Sequence, residues 1–152
     1  SENPLPLLVA DLGEQPAEAI LREIGEPRLR GMLRLAGYIP NSDLPAIYNR
    51  ASAFLYTSLR ESFGIPQLEA MACGTPVVTS ATSAIPEVAG EGAILVDPTD
   101  PKAIADALLR LETDAAFRAR QVAYGLDRVK QFSWEKTARH LLALYESLGK
   151  TN

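Results

Sequence analysis

Five short apolar runs set the plan of this chain. Leu5–Ala10, Arg34–Ala36, Ala53–Tyr56, Pro76–Val78 and Ala93–Val96 are too short for helices and suit a buried pleated surface, so each reads as a strand. The stretches between them have helical character. Ala17–Ile24 forms one helix, ended by Gly25–Pro27. Leu44–Ala51 forms another, with Leu44, Ile47 and Tyr48 on one face and Ser42 as its cap. A helix opens at Ile65–Pro66, and a short one covers Pro86–Ala89. Beyond Val96 the chain is all helical: one helix capped by Thr99 or Asp100 and running through Leu111, one from Asp114 through Val129, and a last one capped by Ser133. Strands alternating with helices predict an α/β domain of three layers, a parallel sheet covered on both faces.

The stretch from Ser58 to Val78 organises the rest. It runs strand end, tight loop Ser58–Gly64, helix, strand. Pro66 suits a helix start, where its missing N–H would have no partner anyway, and Gly74 is placed to end the helix. In parallel sheets ligands bind at the C-terminal ends of strands, and this loop lies at one. A helix start there presents unpaired N–H groups and a partial positive charge, which suits phosphate. Gly64 lets a ligand approach the backbone closely. Glu61 in the loop and Glu69 in the helix would repel a phosphate, so they are expected to take hydroxyls, since an ionised carboxylate only accepts hydrogen bonds. A diphosphate joining two hydroxylated rings satisfies every part, and a nucleotide sugar is such a ligand.

Composition narrows the class without changing that picture. The 152 residues suit one domain with a proper core. An apolar fraction of 47% and a charged fraction of 22% are those of an ordinary globular chain. The net charge of −4 argues against nucleic acid. No apolar run approaches the roughly 18–20 residues of a membrane span. A single cysteine excludes an internal disulfide and a cysteine-cluster metal site.

The block E-S-F-G-I-P-Q-L-E-A-M-A-C-G-T-P-V-V, with seven residues between Glu61 and Glu69, resembles the signature of the retaining glycosyltransferases of family 4. Its flanks occur in the family's order: A-G-Y-I-P (Ala36–Pro40), L-P-A-I-Y-N-R-A-S-A-F-L-Y-T-S (Leu44–Ser58), I-P-E-V (Ile85–Val88), I-L-V-D-P (Ile94–Pro98) and F-S-W-E (Phe132–Glu135). The resemblance implies a Rossmann-like domain, the C-terminal, donor-binding half of a GT-B fold. It further implies a fragment, residues 1–152, without the first strand–helix unit and without the N-terminal domain that holds the acceptor. By resemblance Glu61 is the catalytic carboxylate, touching donor sugar hydroxyls, and Glu69 binds the ribose. Ser62, Phe63, Gly64 and Ile65 border the sugar and diphosphate, with backbone N–H groups from the last three, and Tyr38 and Ile39 border the nucleobase. The implied reaction passes a glycosyl group from a UDP- or GDP-linked sugar to a sugar or lipid-linked sugar with retained configuration. The leaving diphosphate helps deprotonate the acceptor, with no obligate metal or cofactor. The implied setting is cytoplasmic or peripheral at the inner membrane surface.

Each singled-out residue also has a plain structural reading. Glu69 reads equally as a solvated helix carboxylate, Glu61 as a loop carboxylate capping the helix, Phe63 as core and Tyr38 as a half-buried packing residue. Arg60 reads as solvated, Cys73 as a core thiol and His140 as a surface or packed residue. No Ser/His/Asp arrangement is supported. Trp134 reads as an anchor for the last helix. That helix's apolar side (Leu141, Leu142, Leu144, Tyr145, Leu148) reads either as the domain's own core or as a surface for the N-terminal domain, in which case the isolated chain is expected to self-associate. Paired carboxylates also suggest glycoside hydrolysis, but a helix start that needs an anion disfavours it. A nucleotide or nucleotide-sugar binding module without turnover is the alternative of a different class. An epimerase or a phosphorylase of similar fold is a third, and no motif here supports a phosphorylase's cofactor lysine.

Overall fold

The computed structural model describes residues 5–149. They fall into two units, Ser1–Leu44 and Pro45–Asn152. In the first, β1 (Leu7–Ala10) pairs in parallel with β2 (Leu33–Gly37), Leu7 opposite Leu33 and Val9 opposite Leu35. The helix between them, α1 (Glu14–Glu23), buries Ala17 and Leu21. It starts three residues before the expected Ala17. Pro16 is tolerated in a first turn, and Glu14 there suits the helix dipole. A 3₁₀ helix, Pro27–Met32, follows where the sequence suggested only a stop. From it Arg30 makes an ion pair with Glu14 at 2.5 Å, tying this turn to the head of α1. Ser42 is not the expected cap: its hydroxyl donates to the Asp43 carboxylate at 3.1 Å.

The second unit begins within α2 (Leu44–Arg50), whose Tyr48 is buried as its apolar face requires. Three parallel strands follow in the order β3 (Phe54–Tyr56), β4 (Val77–Ser80), β5 (Ala93–Val96), with Phe54 opposite Val77 and Val78 opposite Ile94. They are joined through α3 (Ile65–Ala72) and α4 (Ile85–Ala89). The five strands therefore form two parallel sheets, because β1 pairs with β2 and β3 pairs with β4.

Both faces of β4 are buried. Val78 and Val96 pack with Ala107 and Leu111 of α5 (Pro101–Thr113), flanked by Leu55, Ile104 and Phe117. Strand alternation turns Val77 and Thr79 to the other face. Asp100 caps α5 through Lys102 and Ala103 N–H groups, and Asp114 caps α6 (Ala115–Val129) through that of Phe117. Gly125 of α6 lies so close to α3 that a Cβ there would sit 3.1 Å from Met71 Cγ.

The last helix, α7 (Trp134–Gly149), has no buried residue. Phe132 is half-buried, in contact with Phe63 and Arg128, and every described residue beyond it is exposed. Two expectations fail for that reason. Trp134, 83% exposed, anchors nothing, and the apolar side of α7 is not this unit's core. Cys73 is half-buried rather than a core thiol, and His140 is exposed. Among the described residues, no helix is long and apolar enough to cross a membrane.

Candidate functional site

The ends of α3 are as the sequence specifies. Gly64, at φ +83°, precedes it in the left-handed conformation that L side chains rarely adopt. Pro66 sits in the first turn, and no side chain caps the helix, so its leading N–H groups stay available. The tail closes tightly. Gly74, at φ +72°, donates to the Met71 carbonyl at 2.9 Å, and Thr75 donates to that of Ala70 at 3.0 Å, the paired bonds of a Schellman motif. The leading end is open on both sides of a buried Gly64: Ser62 is exposed, as are Phe63 and Ile65 at 40% and 48%.

The loop that delivers Glu61 is fastened by a row of hydroxyls. Thr79 Oγ1 donates to the Tyr56 carbonyl at 2.9 Å, Ser80 Oγ to that of Ser58 at 2.6 Å, and Thr82 Oγ1 to that of Leu59 at 3.3 Å. Ser83 Oγ donates to the Glu61 carbonyl at 2.6 Å and accepts from the Glu61 N–H at 3.2 Å. Ser83 itself stands at φ +59°, a cost that this reciprocal pair offsets. The hydroxyl-rich run after Val78 is the visible sequence signal for this fastening.

The Glu61 side chain does not cap α3. Its Oε1 accepts from the Tyr56 hydroxyl at 2.6 Å. That bond first, and then the neighbouring Ser58 hydroxyl, holds its carboxyl below the usual carboxylate range, so it is ionised at neutral pH and can only accept. Glu69 is exposed, and its Oε2 faces the Tyr48 hydroxyl at 3.4 Å. Burial first, and then the neighbouring carboxylate, pushes both phenols up to about 12, so both remain donors. The three rings of Tyr48, Phe54 and Tyr56 form one row: Tyr48 meets Phe54 edge-on at 5.2 Å, and Phe54 stacks on Tyr56 at 5.8 Å. Both carboxylates therefore hang from a single aromatic row under β3. Sequence reasoning assigned Tyr48 to a helix face and Tyr56 to a strand, and missed their hold on the two glutamates.

Gln67, fully buried, donates from Nε2 to the Phe63 carbonyl at 3.4 Å, while its Oε1 has no partner. On the other flank of the loop lies a cavity of about 180 Å³ lined by Ser62, Phe63, Ala84, Glu87, Val88, Arg128 and Phe132. Neither Glu61 nor Glu69 lines it. Arg128 closes its floor by donating to the Glu87 and Val88 carbonyls at 2.5 and 2.9 Å, and its guanidinium lies 5.0 Å from the Phe132 ring centre. The Phe63 ring is not core; it packs edge-on against Phe132. Tyr38 and Ile39 belong to the first unit. Tyr38 is 78% exposed in the turn after Gly37, which excludes a half-buried packing role, and Ile39 is half-buried. Among the described residues, no cluster of three or more His, Cys, Asp or Glu side chains is placed to hold a metal ion.

Comparison with known proteins bears on the family and the fold. The chain is 42% identical over 118 residues to an O-antigen chain mannosyltransferase B of Escherichia coli, a match that takes in 78% of this chain and 31% of the relative. It superposes on a sucrose-phosphate synthase of Thermosynechococcus elongatus with a TM-score of 0.80 at 30% identity, covering 96% of this chain and 39% of that one. It superposes on the Anabaena protein Alr3699/HepE in complex with UDP with a TM-score of 0.81 at 20% identity, covering 94% and 41%, a likeness of fold. The chain thus spans less than half the length of each. The sequence profile described as "Glycosyl transferases group 1" matches residues 1–128, and the chain belongs to that family.

Proposed function

We propose that this chain is the donor-binding part of a longer retaining glycosyltransferase and that its ligand is a nucleoside-diphosphate sugar. The observation that carries the reading is the uncapped head of α3 beside two carboxylates hung from one aromatic row. Amides of Phe63, Gly64 and Ile65 take the diphosphate, Glu69 takes the ribose, and Glu61 takes hydroxyls of the transferred sugar. Ser62 borders the sugar. The Anabaena protein of like fold is seen with UDP and with UDP-glucose, which supports a uridine donor. The E. coli relative's name, a mannosyltransferase, leaves a GDP-linked donor equally open.

In the complete enzyme an acceptor hydroxyl attacks the anomeric carbon on the face the leaving group departs from. The bond from that carbon to the diphosphate oxygen breaks, the new glycosidic bond forms, and the diphosphate oxygen takes the acceptor's proton. Donors fixed around the diphosphate stabilise the charge that gathers there. The acceptor, a sugar or lipid-linked sugar, is held by a second domain, and the apolar side of α7 packs against it. Without that domain the chain binds donor and does not turn it over, and α7 favours self-association. The full protein works in the cytoplasm or against the inner face of the membrane.

Titration with UDP-, GDP- and ADP-sugars tests this. One nucleotide should bind, and Glu69→Ala should weaken it by about 1–3 kcal/mol, the scale of a hydrogen bond to a charged group. Equal binding by wild type and Glu69→Ala would remove the ribose assignment. Sugar transfer or donor hydrolysis by these 152 residues alone would overturn the reading of a module without turnover.

A further inference from the structure

The two carboxylates are held by neutral donors, not by cations. Tyr56 Oη lies 2.6 Å from Glu61 Oε1, and Tyr48 Oη lies 3.4 Å from Glu69 Oε2. Each contact uses only part of its carboxylate's acceptor capacity and leaves room for a further donor. Neither tyrosine is free to drift. Tyr56 is in register with Thr79 of β4, and its ring stacks on Phe54. Tyr48 is 6% exposed, and its carbonyl accepts from Thr75 Oγ1 at 2.5 Å. A glutamate free to rotate loses rotamer entropy when it is fixed, and a phenol that holds it beforehand removes part of that cost at binding. An arginine in the same place could grip both oxygens and would add a positive charge that draws phosphate toward the carboxylate. A phenol does neither.

We infer that Tyr56 and Tyr48 are positioning residues for the donor, Tyr56 aiming Glu61 at hydroxyls of the transferred sugar and Tyr48 aiming Glu69 at the ribose. This rests on the donor reading above and divides the site into two separately tunable halves. Tyr56 acts on the sugar alone. Tyr48 acts on anything that carries the ribose. The longer Tyr48 contact makes its effect the smaller of the two.

The test is calorimetric titration of the chain with UDP and UDP-glucose, and with GDP and GDP-mannose, using wild type, Tyr56→Phe, Tyr48→Phe, Glu61→Gln and the Tyr56→Phe/Glu61→Gln pair. Tyr56→Phe should leave nucleoside-diphosphate affinity unchanged and lower nucleotide-sugar affinity about tenfold. Tyr48→Phe should lower both by about threefold. Adding Tyr56→Phe to Glu61→Gln should cost nothing more, because the two act as one unit. If Tyr56→Phe does not fold, Glu61→Gln alone reads the same coupling: the sugar-dependent gain disappears, and Tyr56 ionises below its wild-type value of about 12. Equal losses for nucleotide and nucleotide sugar in Tyr56→Phe, no loss at all, or additive losses in the double variant would overturn the assignment while leaving the donor reading intact. Wild type that binds none of the four compounds would overturn the donor reading and this assignment with it.

Discussion

At the scale of single residues the site is a problem in holding charge and backbone still. Gly64 is the tightest case. An added Cβ would lie 3.0 Å from Gln67 Nε2 and 3.4 Å from Tyr56 Cε1, on a backbone at φ +83°. Gly64→Ala should therefore destabilise by about 1–3 kcal/mol, read by urea denaturation, and a neutral result would mean the loop relaxes freely. Titration of the phenols makes a second prediction. The folded pKa values of Tyr48 and Tyr56, about 12, lie above the ordinary 10.0. Raised values stabilise the protonated form, so this contribution is complete below pH ~10 and is lost as pH rises through about 12. Glu61 works in the opposite sense: its lowered carboxyl contributes above the ordinary carboxylate range, and that contribution is lost on acidification. Ultraviolet titration of phenolate should show two late-ionising tyrosines, and Tyr56→Phe should remove one. The hold of Tyr48 on Glu69 was not readable from sequence, since the partners lie 21 residues apart and meet only once α2 and α3 are placed.

At the scale of elements, legibility follows how local the cause is. The limits of α3 were readable because Pro66 and Gly74 act on their own backbone. The cap of α5 was readable for the same reason, with Asp100 reaching N–H groups only two and three residues on. The 3₁₀ helix at Pro27–Met32 was not, because P-R-L-R-G-M carries no apolar period and the turn is fastened by Arg30 to Glu14, 16 residues away. The packing of α6 on α3 was also hidden. Gly125 reads as a weak point in a helix, yet it lets Met71 and the Gly92 carbonyl approach, at 3.1 Å and 3.4 Å from where a Cβ would stand. Gly125→Val should cost about 2 kcal/mol or more, since Met71 is buried and backbone cannot yield cheaply. Thermal unfolding checks this, and an unchanged midpoint would show that the two helices can separate without penalty.

At the scale of the whole molecule, the parallel strands, the intervening helices and the loop at the end of β3 were legible from pattern, and the fate of α7 was not. Its apolar spacing fits a buried face as well as an exposed one. Only the structure shows every described residue of it exposed. Trp134 is the single tryptophan, so its fluorescence reports on α7 directly. In dilute solution its emission should be that of a solvated indole and be quenched readily by acrylamide. A blue-shifted, protected signal at low concentration would show that α7 is already covered, and one that appears only as concentration rises would mark self-association. The central claim, that the head of α3 grips a diphosphate, is tested most directly by nuclear magnetic resonance. Adding UDP or GDP to the labelled chain should shift the amide signals of Phe63, Gly64 and Ile65 first and furthest. Shifts confined to residues such as Val88 and Arg128 around the neighbouring cavity, or no shifts with either nucleotide, would contradict it.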